Sequence, residues 1–337
     1  MKIALVTINQ PSLDSACRLF PYLEEYEVDV YGKKDLTHNL EALILYKKLD
    51  DILVPAWKEY DAIVCILAMG AVVRKIAPLL ENKATDPAVI VINLALDKIV
   101  PLLSGHLGGA NELADDITSL LPNCVNFIST ATDQTHTLAF EMLAKERDWE
   151  IGNLKALAKI SNRLLNKQTV KVATYPTLFE SIPNKDNLEL VGFDDLDLDT
   201  VVISPLVAST SLMLRPKIYL GIGCNRDTPL KIIEESVQLF LERHNLIIND
   251  VKNIASFEAK SDEVGLLAFA KKYSFDIKFY SKEDINALEN KFSKSASTKF
   301  FGLKGVAEPS AVLGSEYGEL VLKKEVYFGA VTLAGGV

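Results

Sequence analysis

The feature that most constrains the fold is the alternation of apolar strand patterns and helix patterns along the first third of the chain. Runs such as "AIVCIL" and "AVIVINL" are continuously apolar, which is typical of strands buried on both faces. Helix patterns fill the intervals, as in "SLDSACRLFPYL", where Ser12 is the expected N-cap, and "AMGAVVRKIAPLL". This alternation predicts a doubly wound, Rossmann-like α/β domain at the N-terminus.

The length of 337 residues exceeds the size at which a single hydrophobic core usually stops growing. We expect an N-terminal α/β domain over residues 1–129, a small α/β middle region over 130–212 and a C-terminal α/β domain over 213–337. Asp133 is expected to cap a helix over residues 135–147. Glycine turns are expected at strand ends of the C-terminal domain, and "NKFSKSASTKFFG" is expected to be a mobile loop.

Composition excludes several classes of partner. The net charge is −9, from 36 basic and 45 acidic residues, and no block of Lys and Arg suggests a nucleic-acid-binding face. The four cysteines form no C-x-x-C pair and the four histidines no i,i+4 pair, so we predict neither a disulfide framework nor a protein-borne metal site. The first apolar run is too short for a secretory signal and no run is long enough to span a membrane, so we expect a cytoplasmic protein.

The stretch "LLSGHLGGANELADDI" is the least ordinary part of the sequence. Glycines permit positive φ and close approach of a ligand, and the helix that follows offers free N–H groups to an anion. Histidine is the side chain whose ordinary pKa lies near neutrality. The pattern therefore indicates either a polar ligand cradle with a general base or a tight turn in which the histidine caps a carbonyl. The residues concerned are Ser104, Gly105, His106, Gly108, Gly109 and Asn111.

The segment "GIGCNRDT" repeats this logic near the start of the predicted C-terminal domain. Gly221 and Gly223 end a predicted strand, and Arg226 would assist binding of a carboxylate or phosphate. Thr228 is expected to cap the helix that follows, with a proline in its first turn. Cys224 would lie at that helix N-terminus, where a lowered pKa would make it a nucleophile; the alternative is a small packing residue. A third glycine is missing, so a dinucleotide site is not indicated.

Arg74 follows Gly70 in the first turn of a predicted helix. A functional arginine here would clamp a substrate carboxylate, and a structural one would face solvent or pair with Asp86.

Two acidic motifs complete the candidate set. In "EAKSDEVG", Lys260 and Glu263 are either substrate contacts or neighbours of a capping box formed by Asp262. In "GVAEPSAV", Glu308 lies near a helix start, where a negative charge is favourable without any further function.

Taken in order, these motifs resemble the CbiG family of anaerobic cobalamin biosynthesis. The resemblance rests on "MGAVVRKIAPLL", "KATDPAVIVIN", "LLSGHLGGANELA", "STATD", "GIGCNRDT", "KSDEVGLLAFA" and "GVAEPSA", and it extends from about Asp51 to the C-terminus. It is weakest between Glu150 and Met213. One departure is Asp227, which stands where the family often has glycine.

The resemblance implies a cobalt-precorrin-5A hydrolase, which opens a δ-lactone and releases acetaldehyde to give cobalt-precorrin-5B. On this reading His106 is the general base, and the N–H groups of Gly108 and Gly109 stabilise the oxyanion. Glu263 or Glu308 would replace His106 if it is not the base. The turns at Gly70, Gly105 and Gly223, together with Arg74, Arg226 and Lys260, would bind the carboxylates of the corrinoid. The cobalt belongs to the substrate, so no separate cofactor is expected.

Two other functions stay open at this point. A non-catalytic carrier would pass corrinoid intermediates between the precorrin methyltransferases of the pathway and would tolerate loss of His106. A thiol hydrolase would use Cys224 as nucleophile. We expect the ligand in a cleft between the N-terminal and C-terminal domains, because glycine turns are predicted at strand ends in both.

Overall fold

Three β-sheets carry the fold in the computed structural model, which describes residues 1–38, 43–82, 85–129, 137–289, 292–293 and 302–337. The chain divides into two compact units, Met1–His136 and Thr137–Val337. The first unit holds one sheet and the second holds two, each with helices, so the predicted α/β fold class is confirmed. Asp133 and most of the loop expected around residue 295 lie outside the described residues.

The first unit contains a seven-stranded sheet with the order β3-β2-β1-β4-β5-β6-β7. All neighbours are parallel except β5 and β6. The continuously apolar runs noted above form β4 and β5, in which every residue is buried. The strands are β1 (Lys2–Thr7), β2 (Glu27–Lys33), β3 (Leu43–Tyr46), β4 (Ala62–Ile66), β5 (Ala88–Ile92), β6 (Lys98–Leu103) and β7 (Val125–Asn126).

Helices cover both faces of this sheet, as the doubly wound prediction requires. The helices are α1 (Gln10–Leu19), α2 (Asp50–Glu59), α3 (Met69–Ile76) and α4 (Ala110–Leu120). Helices α1 and α4 pack with Ile3 and Leu5 in one apolar cluster, and α2 and α3 pack with Ala4 and Val6 in another. The expected cap of α1 was wrong: Asn9 is the N-cap, and Ser12 is the third helical residue, completing a capping box with it.

The second unit begins with a five-stranded sheet of order β10-β9-β11-β12-β8, in which only β8 is antiparallel to its neighbour. The strands are β8 (Glu150–Gly152), β9 (Val170–Ala173), β10 (Leu188–Val191), β11 (Val201–Ile203) and β12 (Met213–Arg215), and the helices are α5 (Phe140–Glu146), α6 (Leu157–Leu165) and α7 (Pro176–Glu180). Helix α5 is shorter than expected, since residues 137–139 are not helical.

The third sheet has the order β15-β14-β13-β17-β16. Strands β13, β14 and β15 are parallel, whereas β17 runs antiparallel to both β13 and β16. The strands are β13 (Ile218–Cys224), β14 (Val251–Phe257), β15 (Ile277–Tyr280), β16 (Leu320–Tyr327) and β17 (Val331–Gly336), and the helices are α8 (Leu230–Arg243), α9 (Val264–Tyr273), α10 (Lys282–Ala287) and α11 (Ala307–Gly314).

Side chains of the middle and C-terminal regions meet within the second unit. The guanidinium of Arg147 lies over the rings of Trp149 and Tyr317, and Glu319 accepts a hydrogen bond from the Thr177 hydroxyl at 2.9 Å. These contacts explain why the middle and C-terminal regions form one compact unit. The three domain boundaries stay predictions.

Candidate functional site

The turn Ser104–Gly109 joins β6 to α4 in a tightly hydrogen-bonded conformation. Ser104 has φ +56° and Gly109, the N-cap of α4, has φ +82°. The N–H of Ala110 donates to the Ser104 carbonyl at 3.1 Å, and that of Asn111 to the Gly105 carbonyl at 3.0 Å. The half-buried His106 is thus carried on a backbone with two left-handed residues, one on each side of it.

Gly105 and Gly108 are required by close packing inside this turn. A Cβ on Gly105 would lie 2.7 Å from the Asn111 side-chain oxygen, and one on Gly108 would lie 2.4 Å from the Ser104 Cβ. Both distances are too short for a real Cβ atom, so only glycine fits at these two positions. The glycines therefore have a structural reason, which leaves their binding of substrate a prediction.

The turn offers two unused polar groups to a ligand. The hydroxyl of Ser104 is buried without a hydrogen-bond partner in the part of the chain that the structure describes, and no hydrogen bond from the Gly108 N–H occurs there either. Buried polar groups are normally satisfied, so the Ser104 hydroxyl calls for a ligand or water. The N–H of the half-buried Gly108 is a second donor beside it. The N–H of Gly109 already donates to the His106 carbonyl at 2.9 Å, which argues against its expected role as an oxyanion donor.

The direction of β6 decides where this turn lies. Because β6 runs antiparallel to β5, with Leu103 beside Val89, its last residue lies next to the start of β5. The turn is therefore at the edge of the sheet where β4 and β5 begin. The carbonyl of Asp86, just before β5, lies 3.4 Å from the Cβ position of Gly108. Asp86 is a neighbour of the turn that sequence reasoning missed.

Gly70 and Arg74 lie at the opposite edge of the same sheet, because α3 follows the carboxyl end of β4. Arg74 donates to the Gly70 carbonyl at 2.8 Å, which turns its exposed guanidinium back toward the N-terminus of α3. The alternative pairing of Arg74 with Asp86 was wrong: Asp86 is buried and accepts the N–H of Glu81 at 3.2 Å. His106 and Arg74 are thus not brought together.

A charged cluster lies where β13 and β14 end in the second unit. The carboxylate of Glu263 is only 3% exposed, and its Oε1 lies 3.1 Å from Arg226 and 3.2 Å from Lys260. Its Oε2 accepts the N–H of Asp227 at 3.1 Å. Arg226 also pairs with the exposed Asp262. Glu263 therefore occupies the cationic turn itself, as a bound anion would, which argues against its role as a general base.

Asp227 has φ +58°, the left-handed conformation that glycine adopts at least cost. This explains why a glycine suits the position at which the chain departs from the family pattern. The neighbouring glycine that sequence reasoning missed is Gly265, where a Cβ would lie 2.1 Å from the Thr228 carbonyl. The start of α9 therefore packs closely against the segment that leads into α8.

Three expectations for this cluster were wrong. Cys224 ends β13, whereas α8 begins only at Leu230, so the thiol is not at a helix N-terminus. Burial raises the pKa of Cys224 despite the charges of Lys260 and Arg226, which oppose the shift. Thr228 does not cap α8: its hydroxyl donates to the Asn225 carbonyl at 2.8 Å, and Pro229 is the N-cap. The expected capping box of Asp262 is also absent, since α9 has Glu263 as N-cap without a side-chain bond.

Gly221 and Gly223 allow close packing of α11 and β17, respectively, on β13. A Cβ on Gly221 would lie 1.8 Å from the Ala307 carbonyl, and one on Gly223 would lie 2.5 Å from the Thr332 hydroxyl. Both positions face neighbouring protein, so nothing in the geometry supports their contact with substrate.

The carboxylate of Glu308 accepts three hydrogen bonds, and the residue is 2% exposed. It accepts the N–H of Ser293 at 2.6 Å, the hydroxyl of Ser293 at 2.7 Å and the N–H of Lys324 at 2.9 Å. Burial favours a higher pKa, but the hydrogen bonds from Lys324 and Ser293 outweigh it and lower the pKa of Glu308. A carboxylate so satisfied has a structural role, which argues against Glu308 as the base; its catalytic role stays a prediction.

Among the described residues, no group of three His, Cys, Asp or Glu side chains is arranged to hold a metal ion. None of the helices described has both the length and the apolar character needed to cross a membrane.

Comparison with known proteins gives consistent matches along the chain. Three family models match in order: Cobalamin synthesis G N-terminal over residues 51–133, Cobalamin biosynthesis central region over residues 138–216 and Cobalamin synthesis G C-terminus over residues 218–335. A protein of Priestia megaterium named cobalt-precorrin-5A hydrolase is 29% identical over 359 residues, covering 98% of this chain and 93% of its own.

A second protein named cobalt-precorrin-5A hydrolase, from Salmonella typhimurium, is 31% identical over 274 residues, covering 77% of this chain and 78% of its own. Among solved structures, a cobalamin biosynthesis protein G homologue from Sulfolobus solfataricus is 23% identical and covers 99% of this chain and 96% of its own, with a TM-score of 0.40.

Proposed function

The chain belongs to the CbiG family of cobalamin biosynthesis proteins, and on that premise we propose that it hydrolyses cobalt-precorrin-5A. The observation that carries the proposal is the joint match. All three family regions are present in order. Two relatives bear that enzyme name, one aligned over 98% of this chain and the other over 77%.

The reaction joins a hydrolysis to a carbon–carbon cleavage. Water adds to the lactone carbonyl, and the ring C–O bond breaks to leave a carboxylic acid and a free hydroxyl. Deprotonation of that hydroxyl then breaks the bond from its carbon to the macrocycle. Acetaldehyde leaves, and the macrocycle, with its cobalt, takes up the electron pair and a proton. The chain must supply a base for both steps and donors for the oxyanion of the first.

We assign the base role to His106. Histidine is the side chain whose ordinary pKa lies near neutrality, and the turn that carries His106 holds the buried Ser104 hydroxyl and the Gly108 N–H without protein partners in the described structure. These two groups are the donors that we propose for the oxyanion. Asn111, whose amide packs against Gly105, fixes the shape of the turn.

We assign substrate carboxylates to the exposed cations near the strand ends. The Arg226 side chain is 57% exposed although it pairs with Asp262 and Glu263, so it can exchange a surface partner for a ligand. Glu263 positions Arg226 and Lys260. The proposal includes no separate cofactor, because the cobalt arrives with the substrate, and it includes the precorrin methyltransferases in the cytoplasm as neighbours that deliver and receive corrinoids.

The test is anaerobic incubation with cobalt-precorrin-5A while acetaldehyde is trapped as it forms. Wild-type protein is expected to release acetaldehyde well above the spontaneous rate. Tight substrate binding without acetaldehyde would leave the carrier function in place of the hydrolase.

The residue assignment needs the variant His106→Gln, which keeps a hydrogen-bonding side chain but cannot titrate. We expect turnover to fall about 10²- to 10⁴-fold, the usual contribution of a general base, with the unfolding midpoint unchanged. Near-full activity in this variant would remove His106 from the reaction.

A further inference from the structure

Two Lys-Lys pairs lie side by side at one edge of the first sheet. Lys33 ends β2 and Lys34 follows it, while Lys47 and Lys48 follow β3. The two strands are parallel with Lys33 beside Tyr46, and the N–H of Lys34 donates to the Tyr46 carbonyl at 2.9 Å. The register therefore places all four ammonium groups, here called the lysine edge, at the carboxyl ends of neighbouring strands.

The charge of the lysine edge is not neutralised by described neighbours. All four side chains are exposed, and none makes an ion pair with a described residue. Three aspartates are near in sequence, and none forms an ion pair with these ammonium groups. Asp50 pairs with Lys75 at 2.7 Å, Asp51 accepts the Lys48 N–H at 2.8 Å, and Asp35, next to Lys34 in the chain, is exposed. In a chain of net charge −9 this is a local reversal of sign.

Apolar side chains continue the same edge. Ile8 follows β1, the neighbour of β2, and is 38% exposed; Met69 follows β4, the next strand along, and is 41% exposed. With strands about 4.8 Å apart, the edge from β3 to β4 spans about 14 Å. The guanidinium of Arg74, turned back toward Gly70, lies at its far end. Cations thus flank an apolar strip where the sheet order reverses between β1 and β4, the location at which open α/β sheets bind ligands.

We propose that the lysine edge binds the carboxylate fringe of the corrinoid, outside the reaction site. The ligand is a flat, partly apolar ring bordered by carboxylates, which matches an apolar strip bordered by cations. An acidic protein repels such a polyanion, so a cationic patch raises its local concentration at the surface. This inference rests on the proposed function for the identity of the ligand. Because β6 is antiparallel, the His106 turn lies at the other edge, so the lysine edge captures and holds the corrinoid and takes no part in bond breaking.

The test uses the full chain and two stable probes: cobyrinic acid, a cobalt corrinoid polycarboxylate, and its fully amidated analogue. The variant carries Lys33→Gln, Lys34→Gln, Lys47→Gln and Lys48→Gln. A control variant carries the same charge change on exposed lysines elsewhere, at Lys58, Lys155, Lys271 and Lys278. Dissociation constants are measured by calorimetry at low ionic strength and again at 0.5 M salt, where exposed charges are screened.

We expect the lysine-edge variant to bind cobyrinic acid about 10- to 100-fold more weakly than wild type, since four exposed charge contacts are lost. The control variant should lose less than about threefold, the amidated probe should not respond to the lysines, and high salt should abolish the difference. Equal losses in the two variants, or an equal loss for the amidated probe, would overturn the inference. So would a matching loss in His106→Gln, which would put the ligand at the other edge.

These outcomes are separable from the proposed function. Wild-type protein that binds cobyrinic acid through the lysine edge but releases no acetaldehyde would refute the hydrolase alone. Acetaldehyde release without lysine-dependent binding would refute the lysine edge alone.

Discussion

Glu263 is the residue at which the structure makes its sharpest energetic prediction. Its buried carboxylate accepts one backbone N–H and pairs with Lys260, whose side chain is 15% exposed. Replacing Glu263 by Gln leaves this ammonium and the Asp227 N–H without their anion. Removing one partner of a buried pair costs about 3–5 kcal/mol, and we take about 2–3 kcal/mol because Lys260 retains some contact with water. The Arg226 contact is left out of this sum, since its guanidinium is mostly in solvent.

The matched control is Asp262→Asn, which removes the other carboxylate that Arg226 contacts. Asp262 is 70% exposed, and an exposed pair contributes little. The two substituted carboxylates thus differ in burial, while both contact Arg226. We expect unfolding of the second unit to shift for Glu263→Gln alone.

Tryptophan fluorescence can report on the second unit alone. The chain contains two tryptophans, Trp57 in the first unit and Trp149 in the second, and both are largely buried. In a Trp57→Phe background, fluorescence reports on the second unit during urea unfolding. With a slope of about 3 kcal/mol per M, the expected loss lowers the midpoint by about 1 M. Equal midpoints for Glu263→Gln and Asp262→Asn would refute the view that Glu263 positions the two cations.

Two further predictions concern Cys224 and Glu308. Cys224→Ser should keep more than half of the acetaldehyde release, and the wild-type thiol should react slowly with iodoacetamide at pH 7.5, because burial raises its pKa; loss of activity on alkylation of Cys224 would restore the thiol mechanism. For Glu308, the folded-state pKa is below the ordinary value of 4.5, so its stabilising contribution is full above pH 4.5 and is lost as the pH falls through the folded-state pKa. The stability difference between wild type and Glu308→Gln, from urea midpoints, should therefore shrink below pH 4.5; a difference that stays constant down to pH 3 would contradict it.

The sequence predicted those parts of the fold that depend on local pattern. Continuous apolar runs identified β4 and β5 because a strand buried on both faces has no polar side to display. The cap of α1 was missed by three residues, since Asn9 and Ser12 can each cap a helix and only the backbone decides between them. The thiol of Cys224 was misplaced for a similar reason: a turn of five residues separates β13 from α8, and no pattern marks its length.

The candidate site depended on strand direction, which single-sequence patterns do not reveal. A strand reads alike in both directions, so nothing in "IVPLLS" indicates that β6 runs antiparallel to β5. That one reversal moves His106 to the edge away from Arg74. The lysine edge had a readable signal, a Lys-Lys pair after each of two successive strands, but its meaning required knowing that β2 and β3 are adjacent and parallel.

A double-mutant cycle tests whether His106 and Arg74 act independently, by measuring the coupling free energy between them. The sheet edges are about 13 Å apart along the five residues of β5, and residues that far apart with no shared partner contribute additively, within about 0.5 kcal/mol. We expect His106→Gln to lower kcat and Arg74→Ala to raise KM. In kcat/KM, the double variant should then lose the sum of the two single effects, with a coupling below that limit. A coupling above about 1 kcal/mol would show that the two side chains act on one bound substrate at the same time. In that case the reaction site would extend from one edge of the sheet to the other, and the lysine edge could not be a surface separate from it.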